Sequence, residues 1–261
     1  FVKYEAISLS RGSTGILFIE KQDSILEGLA EGARERIPAA APARRNRMRG
    51  IAFIGGEGPA EAVCRRLAGT ADLVAAADSG LLAARKAGID PGWIVGDMDS
   101  LGDPALLEDY PPERVIRHPR EKDFTDTELA LKLLWEQGCD EVWLLGGGGG
   151  RTDHLLAIRS LFEREPSPDR WFTKTEDIRC LRRGERLAFP ETERERETLG
   201  GISVFPLGTG PWKAESRGLK WPLDRLVWDR GFFGIANEAP SGHFSISAVL
   251  GDFLILTPLT E

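Results

Sequence analysis

Short apolar segments alternate with glycine-bearing turns and helical stretches from Gly50 onward, and this alternation restricts the fold more than any other feature. Residues 50–54 and 73–77 have the pattern of buried strands, and each is followed by a turn and a helical stretch. Further strands are predicted at 93–95, 114–116 and 141–145. Strands and helices that alternate in this way form a parallel sheet with helices on both faces. We therefore predict an α/β fold that begins with a Rossmann-like parallel sheet domain.

The pattern changes near Trp171. Segments such as 243–249 alternate apolar and polar residues and are separated by Gly and Pro, with no convincing helix before the last residue. This predicts that an all-β sandwich domain follows the α/β domain. We therefore expect three parts, which are an extension of unknown structure (1–47), an α/β domain (48–168) and a β-sandwich domain (169–261).

Two segments have the composition of connections rather than of core elements. Residues 37–47 are rich in Ala, Pro and Arg, which is typical of a linker. Residues 191–197 alternate Glu with Arg and Thr, and we interpret them as a solvated loop.

Composition excludes several kinds of partner. The chain has 34 basic and 41 acidic side chains, and its formal charge of -7 gives no reason to expect nucleic acid or an anionic membrane. Its three cysteines are far apart, so a disulfide framework is not expected. No apolar run approaches the roughly 18 residues that a membrane span requires. We therefore predict a soluble cytoplasmic protein.

Ligands of doubly wound sheets bind outside the carboxyl ends of the strands, so the residues at those ends are the candidates for function. Asp97 and Asp99 follow the third predicted strand. In an extended segment, side chains two positions apart project to the same side. Two adjacent carboxylates require a cation, and Mg²⁺ prefers such oxygen ligands. The alternative is a solvated turn that caps a helix through Ser100.

Two further aspartates lie at predicted element ends. Asp78 ends another buried strand. The sequence from Thr125 to Glu128 fits a capping box, which places Asp126 in the first turn of a helix. Each of these aspartates alone is explained by its place beside a helix N-terminus, where the dipole stabilises a carboxylate.

Five consecutive glycines, residues 146–150, lose much chain entropy on folding unless the backbone approaches a ligand closely or adopts positive φ. A phosphate chain is the natural ligand, and Arg151 directly after them is a forked donor for phosphate oxygens. Asp153 is a possible metal or ribose contact, and Lys122 is a further candidate cation. The P-loop and dinucleotide-binding motifs are both missing. With only three histidines, all scattered, a zinc site that includes His154 is not expected.

The order of these motifs resembles that of the thiamine pyrophosphokinase family over about residues 49–258. Five motifs carry the resemblance, and they are Ala77-Asp78-Ser79-Gly80, Ile94-Val95-Gly96-Asp97-Met98-Asp99-Ser100, Lys122-Asp123-Phe124-Thr125-Asp126-Thr127-Glu128, the segment 146–154, and Gly218-Leu219-Lys220-Trp221-Pro222-Leu223. The family fold is an α/β nucleotide-binding domain followed by a β-sandwich.

The resemblance implies a role for each motif. The acidic residues would form a Mg²⁺-ATP site, with Asp78, Asp97, Asp99 and Asp126 as metal ligands and Asp153 beside them. Gly80, Lys122, Arg151 and the glycine loop, with Gly147, Gly149 and Gly150, would bind the nucleotide. Trp221 and Asn237 would belong to the thiamine pocket. The family enzyme is a homodimer in which the sandwich domain of one subunit completes the site of the other, so Trp221 would act in trans.

The implied activity is transfer of a pyrophosphoryl group from ATP to the hydroxyl of thiamine, which gives thiamine pyrophosphate and AMP. Two alternatives stay open. The same carboxylates would serve a metal-dependent nucleotide pyrophosphohydrolase that activates water. The second alternative is a protein that binds the ligands but does not catalyse a reaction. It stays open because Ile158 and Ala236 stand where the family commonly has Asn and Ser.

Overall fold

The fold is described from a computed structural model, which describes residues 47–189 and 198–260. The charged run predicted as a loop at 191–197 lies outside the described residues. So do the first 46 residues of the extension predicted at 1–47.

The described residues form a mixed sheet of ten strands, four α-helices around its parallel part, and a second sheet of three antiparallel strands. The strands are β1 (Arg49–Phe53), β2 (Leu73–Ala77), β3 (Trp93–Gly96), β4 (Val115–Arg117), β5 (Glu141–Leu145), β6 (Arg170–Phe172), β7 (Glu176–Leu181), β8 (Arg186–Phe189), β9 (Leu199–Leu207), β10 (Lys213–Arg217), β11 (Gly234–Ala239), β12 (Phe244–Leu250) and β13 (Asp252–Pro258). The helices are α1 (Glu61–Ala68), α2 (Gly80–Lys86), α3 (Asp126–Glu136) and α4 (Thr152–Leu161).

The five strands predicted for the α/β part are confirmed to within one residue at each end. They pair in parallel and are covered on both faces. In β1, Ile51 and Phe53 pack under α1 and α2, whereas Ala52 and Ile54 pack under α3 and α4. Because both faces of the strand are buried, the sequence there is a continuous apolar run rather than an alternating one.

The large sheet does not end where the α/β part ends. Its strand order is β11-β9-β13-β7-β6-β5-β1-β2-β3-β4. The short strand β6 pairs in parallel with β5 and antiparallel with β7, and so joins the two halves. One continuous sheet therefore spans residue 168, the predicted boundary between the α/β domain and the β-sandwich domain. The observed class is a mixed α/β fold with additional antiparallel strands.

The second sheet, in the order β10-β12-β8, shares a hydrophobic core with the antiparallel end of the large sheet. Phe244 and Ile246 of β12 belong to the same buried cluster as Ile202 of β9 and Phe253 of β13. The residues after Trp171 therefore fold mainly as antiparallel strands, as their alternating pattern indicates.

Gly80, at the start of α2, permits a close contact between this helix and strand β1. A Cβ atom at this position would lie 2.2 Å from the carbonyl oxygen of Phe53 in β1. Because that oxygen is part of the backbone, the helix has to shift to make room. We expect Gly80→Ala to lower the free energy of unfolding by about 1–3 kcal/mol, measured by urea denaturation. Gly200→Ala is the control, since a Cβ there meets nothing within 4 Å, and equal stability of the two variants would contradict the prediction.

A buried ion-pair group supports the junction of the two halves. Asp177 of β7 accepts hydrogen bonds from Arg170 Nε at 3.1 Å and from Arg179 Nη2 at 2.9 Å, and its exposed fraction is 5%. Burial alone would raise the pKa of Asp177, but the hydrogen bonds and charge of Arg170, with the charge of Arg179, outweigh it and lower the pKa. Asp177 is therefore held ionised in the folded chain.

We expect Asp177→Asn to destabilise the chain by about 3–5 kcal/mol near neutral pH, because two cations lose their buried counter-charge. A lowered pKa stabilises the fold at pH values above the unfolded pKa of about 3.9, and this contribution is lost as pH falls through the folded value. The difference in unfolding free energy between the native chain and the variant should therefore be constant above about pH 5 and shrink below about pH 4. Urea titrations across this range measure it, and a constant difference down to pH 3 would show that Asp177 is not the acid-sensitive group.

Candidate active site

Three carboxylates meet at the carboxyl edge of the parallel strands. Asp78 directly follows β2, Asp97 directly follows β3, and Asp126 is the first residue of α3. One oxygen of each lies within 4.8 Å of an oxygen of the others. Parallel strands end at the same edge of the sheet, so residues distant in sequence meet there. We call Asp78, Asp97 and Asp126 the carboxylate triad.

The backbone and neighbouring side chains hold the triad in place. Asp78 adopts φ +47, its N–H donates to the carbonyl of Val95 at 2.9 Å, and its Oδ2 accepts a hydrogen bond from Ser100. Its Oδ1 is buried and has no hydrogen-bond partner among the described residues. The predicted capping box fixes the helix at Asp126, because Thr125 N–H donates to Glu128 Oε2 at 2.8 Å and Thr125 Oγ1 accepts from Glu128 N–H at 3.3 Å.

Lys122 lies inside this cluster. Its Nζ is 3.1 Å from Asp97 Oδ2 and 3.1 Å from Asp126 Oδ1, and its side chain is largely buried. Burial disfavours the charged ammonium, but the hydrogen bonds to Asp126 and Asp97 outweigh it and raise the pKa of Lys122. The backbone N–H of Asp99, followed by Lys122, lowers the pKa of Asp97, although burial opposes this. The cluster is thus a charged group of carboxylates with one ammonium.

Asp99 lies outside the triad. We expected Asp97 and Asp99 to face the same point because the segment would be extended, and this expectation is wrong. Strand β3 ends at Gly96, and Met98 adopts φ +66, which turns the chain between the two carboxylates. Asp99 is exposed and its Oδ2 lies 3.4 Å from Arg120 Nε. Its role as a metal ligand stays a prediction.

The glycine run divides into a packed part and an open part. Glu57 and Gly148 exchange backbone hydrogen bonds of 2.7 and 2.9 Å, and a Cβ at Gly147 would lie 2.5 Å from Ile158 Cδ1. Glycine is required at positions 147 and 148 because two loops pack closely there, a reason that the sequence did not suggest. Gly149 and Gly150 are exposed, and both have φ +65. A Cβ at Gly150 would meet nothing, so this end of the run is open to a ligand.

Arg151 and Asp153 face solvent beside the open glycines. Arg151 Nε donates to Asp153 Oδ1 at 3.1 Å, and this hydrogen bond lowers the pKa of Asp153. Asp153 is not one of the three carboxylates that lie within ligand distance of one another in the described residues. A phosphate at this position would therefore replace Asp153 as the partner of the guanidinium.

A second candidate region surrounds Trp221. Trp221 and Asn237, which the resemblance assigns to the thiamine pocket, line a cavity of about 210 Å³ together with Phe232, Phe233 and Ile235, which were not predicted. Asn237 is buried and holds the backbone of Trp221, since its Oδ1 accepts from Trp221 N–H at 3.2 Å and its Nδ2 donates to Trp221 O at 2.7 Å. The indole ring itself is half exposed. Asn237 therefore positions Trp221.

One face of the Trp221 ring carries a cation. Lys220 Nζ lies 4.5 Å from the ring centroid and 2.8 Å from Glu238 Oε2. The geometry is that of a cation–π contact, and it shows that the exposed indole accepts a positive charge.

The triad and the Trp221 cavity lie at opposite ends of the large sheet. The cavity adjoins β9 and β11, and the triad lies at the ends of β2 and β3. Eight strand spacings separate β11 from β3 in the strand order. At about 4.8 Å each they amount to roughly 38 Å along a flat sheet. The Trp221 cavity and the triad of one chain therefore adjoin opposite parts of the large sheet.

Positive φ angles mark both regions. Among the described residues, the non-glycine positions with positive φ are Asp78, Met98 and Ala236. Such residues cost about 1–3 kcal/mol each and cluster at functional sites. Asp78 belongs to the triad, Met98 separates Asp97 from Asp99, and Ala236 precedes Asn237, so the strained backbone coincides with the candidate residues.

The triad fits a hard divalent cation. Three carboxylates supply oxygen ligands alone, as Mg²⁺ prefers. The buried Asp78 Oδ1 has no donor among the residues that the structure describes, although a buried acceptor requires one. A cation bound by the three residues would satisfy that oxygen.

Comparison with known proteins agrees with this site. Residues 64–168, which contain the triad, match the family model described as thiamin pyrophosphokinase, catalytic domain. A thiamine pyrophosphokinase of Bacillus subtilis (strain 168) is 28% identical over 178 residues, which cover 61% of this chain and 80% of that protein. The matched region of this chain is therefore similar to the catalytic domain of thiamine pyrophosphokinases.

Solved structures of the family share the fold. The crystal structure of thiamine pyrophosphokinase from Bacillus subtilis superposes with a TM-score of 0.64 at 24% identity, covering 81% of this chain and 100% of that one. The yeast thiamin pyrophosphokinase structure gives 0.59 at 16% identity, with 83% and 88% covered. At these identities the likeness concerns the fold. Within the part of the chain that the structure describes, helices are too short or too polar to cross a membrane.

Proposed function

We propose that this chain transfers a pyrophosphoryl group from ATP to the primary hydroxyl of thiamine and releases thiamine pyrophosphate and AMP. The observation that carries the proposal is the carboxylate triad of Asp78, Asp97 and Asp126, inside the region that matches the family's catalytic domain. The similarity to thiamine pyrophosphokinases supplies the substrates of this proposal, and the triad supplies the chemistry that such a transfer requires.

Asp78, Asp97 and Asp126 would hold Mg²⁺, with Asp99 close to them in the chain. When bound, Mg²⁺ neutralises charge on the phosphates of the nucleotide. Phosphoryl-type transfer is catalysed mainly by positioning and electrostatic stabilisation.

The glycine run and Arg151 would position the nucleotide phosphates. The backbone is open at Gly150, and the exposed guanidinium of Arg151 adjoins it. A guanidinium forms paired hydrogen bonds with phosphate oxygens. Arg151 would exchange Asp153 for a phosphate, which leaves Asp153 free to accept a hydrogen bond from the ribose or to approach the metal.

Trp221 would bind thiamine on the partner subunit of a homodimer. Within one chain the cavity and the triad are six to eight strand spacings apart, which supports a site in which the acceptor and the nucleotide are bound by different chains. Half-exposed aromatic and aliphatic side chains around the cavity, including Phe233 and Ile235, supply an apolar surface that a second subunit would cover. The cationic ring of thiamine suits the indole face.

We further propose that residues 48–168 form the nucleotide-binding catalytic domain and residues 169–261 a β-sandwich domain for thiamine binding and dimerisation. The shared core of the two sheets after β6 supports this division. A cytoplasmic location is also proposed, because Cys64, Cys139 and Cys180 are free thiols, as a reducing compartment favours.

The test is a product assay with omissions. The purified protein is incubated with ATP, Mg²⁺ and thiamine, and with each left out in turn, and the products are identified by mass spectrometry. We expect AMP and thiamine pyrophosphate in equal amounts when all three are present. AMP release without thiamine would identify a pyrophosphohydrolase, and binding without products would identify a protein that lacks turnover.

A further inference from the structure

The ammonium of Lys122 lies against two of the three carboxylates that would hold a metal ion. It lies 3.1 Å from an oxygen of Asp97 and 3.1 Å from an oxygen of Asp126. Only 13% of the Lys122 side chain is exposed, and the two carboxylates are 14% and 23% exposed, so water screens the contacts weakly. The third triad residue, Asp78, keeps a buried oxygen without a partner among the described residues.

A divalent cation and this ammonium exclude each other. Mg²⁺ binds carboxylate oxygens at about 2.0–2.1 Å. An ion that binds the oxygens now paired with Lys122 would face the ammonium across a few ångströms, where two like charges repel strongly in a partly buried site. Both cations would be stabilised by the same carboxylates, so they compete for one site.

The side chain of Lys122 is able to move away from the carboxylates. It lies in an irregular segment between β4 and α3, four residues before Asp126. Its ammonium is at the end of a four-carbon stem with rotatable bonds, so it can move several ångströms without a change of the backbone. Loops beside strand ends tolerate such a rearrangement better than the sheet does.

We propose that Lys122 is an exchangeable counter-cation, which neutralises the carboxylate triad before metal binding and leaves it when a divalent cation enters. The proposal rests on the proposed function only in that the triad is the metal site. Exchange keeps the triad from carrying three uncompensated negative charges, and it releases an ammonium beside the nucleotide phosphates at the moment the metal arrives.

The test measures the affinity of the protein for Mn²⁺ in the absence of nucleotide. Electron paramagnetic resonance reports the concentration of free Mn²⁺ during the titration. We expect Lys122→Met to bind Mn²⁺ about tenfold or more tightly than the native chain, because the competing charge is gone. Lys122→Arg should stay as weak as the native chain. Lys132→Met is the matched control, since Lys132 forms an exposed ion pair with Glu136 on α3, and its affinity should not change.

A second readout is the melting temperature. Without metal, Lys122→Met should melt below the native chain because the three carboxylates repel one another, and Mn²⁺ should raise its melting temperature more than that of the native chain. If Lys122→Met does not fold, Lys122→Gln provides the same comparison.

Two contrary outcomes have different meanings. In the first, the native chain binds Mn²⁺, but Lys122→Met and Lys122→Gln bind it equally or more weakly. This result overturns the exchange and leaves the assignment of the metal site intact. If neither the native chain nor any variant binds Mn²⁺, the metal site of the proposed function fails as well. Binding that Asp97→Asn does not weaken would place the ion elsewhere and also overturn the exchange.

Discussion

Asp97→Asn is expected to lower the rate of thiamine-dependent AMP release by about 100-fold or more. The change removes one negative charge from the triad and the partner of the Lys122 ammonium at 3.1 Å. The nucleotide phosphates would then lack part of the cation site that neutralises them. AMP and thiamine pyrophosphate, measured by chromatography at saturating ATP and Mg²⁺, give the rate.

Asp90→Asn is the matched control for this change. Asp90 is an exposed acid in a weak ion pair with Arg114 at 3.7 Å, so the same loss of one charge occurs away from the triad. Its rate should equal that of the native chain. A rate for Asp97→Asn within about threefold of the control would exclude Asp97 as a metal ligand, since loss of a catalytic electrostatic contact costs far more.

Trp221→Ala is expected to lower kcat/KM for thiamine roughly 30-fold, which corresponds to the about 2 kcal/mol of a desolvated cation–π contact. The indole face is the exposed, cation-accepting surface of the cavity. The KM for ATP should change little, because the triad lies at the other end of the sheet. Steady-state kinetics with each substrate varied separate the two effects.

Mixing this variant with Asp97→Asn tests the shared site directly. Subunit exchange gives dimers in which one site has an intact triad from one chain and an intact Trp221 from the other. At equal amounts, half of the dimers are mixed and each has one intact site, so activity should return to about one quarter of the native value. If the sites are formed within single chains, no mixture recovers activity, and the assignment of Trp221 to the partner subunit is wrong.

The α/β half was predictable because its signals are local. Each central strand is an apolar run that ends at glycine or aspartate, and the capping box at Thr125 fixes the start of α3 within the sequence itself. The rule that ligands collect at the carboxyl edge then brought Asp78, Asp97 and Asp126 together, although they are distant in the chain.

The remainder depends on contacts that a single sequence does not reveal. That β6 joins two halves into one sheet follows from its pairing with β7, and three residues carry too little pattern to show it. Asp99 was grouped with Asp97 because the positive φ of Met98 was not foreseen, since a non-glycine residue seldom adopts it. The placement of Lys122 between two carboxylates depends on where its side chain reaches, which periodicity does not determine.

The length of the large sheet has a consequence for how activity depends on the amount of protein. On the proposed function, each chain carries the nucleotide-binding half of one site and the thiamine-binding half of another, six to eight strand spacings apart. A single chain then catalyses nothing, and the turnover per chain falls on dilution below the dissociation constant of the pair. A cell that makes little of this protein would then obtain less than proportional activity from it, so the rate would rise steeply as expression increases.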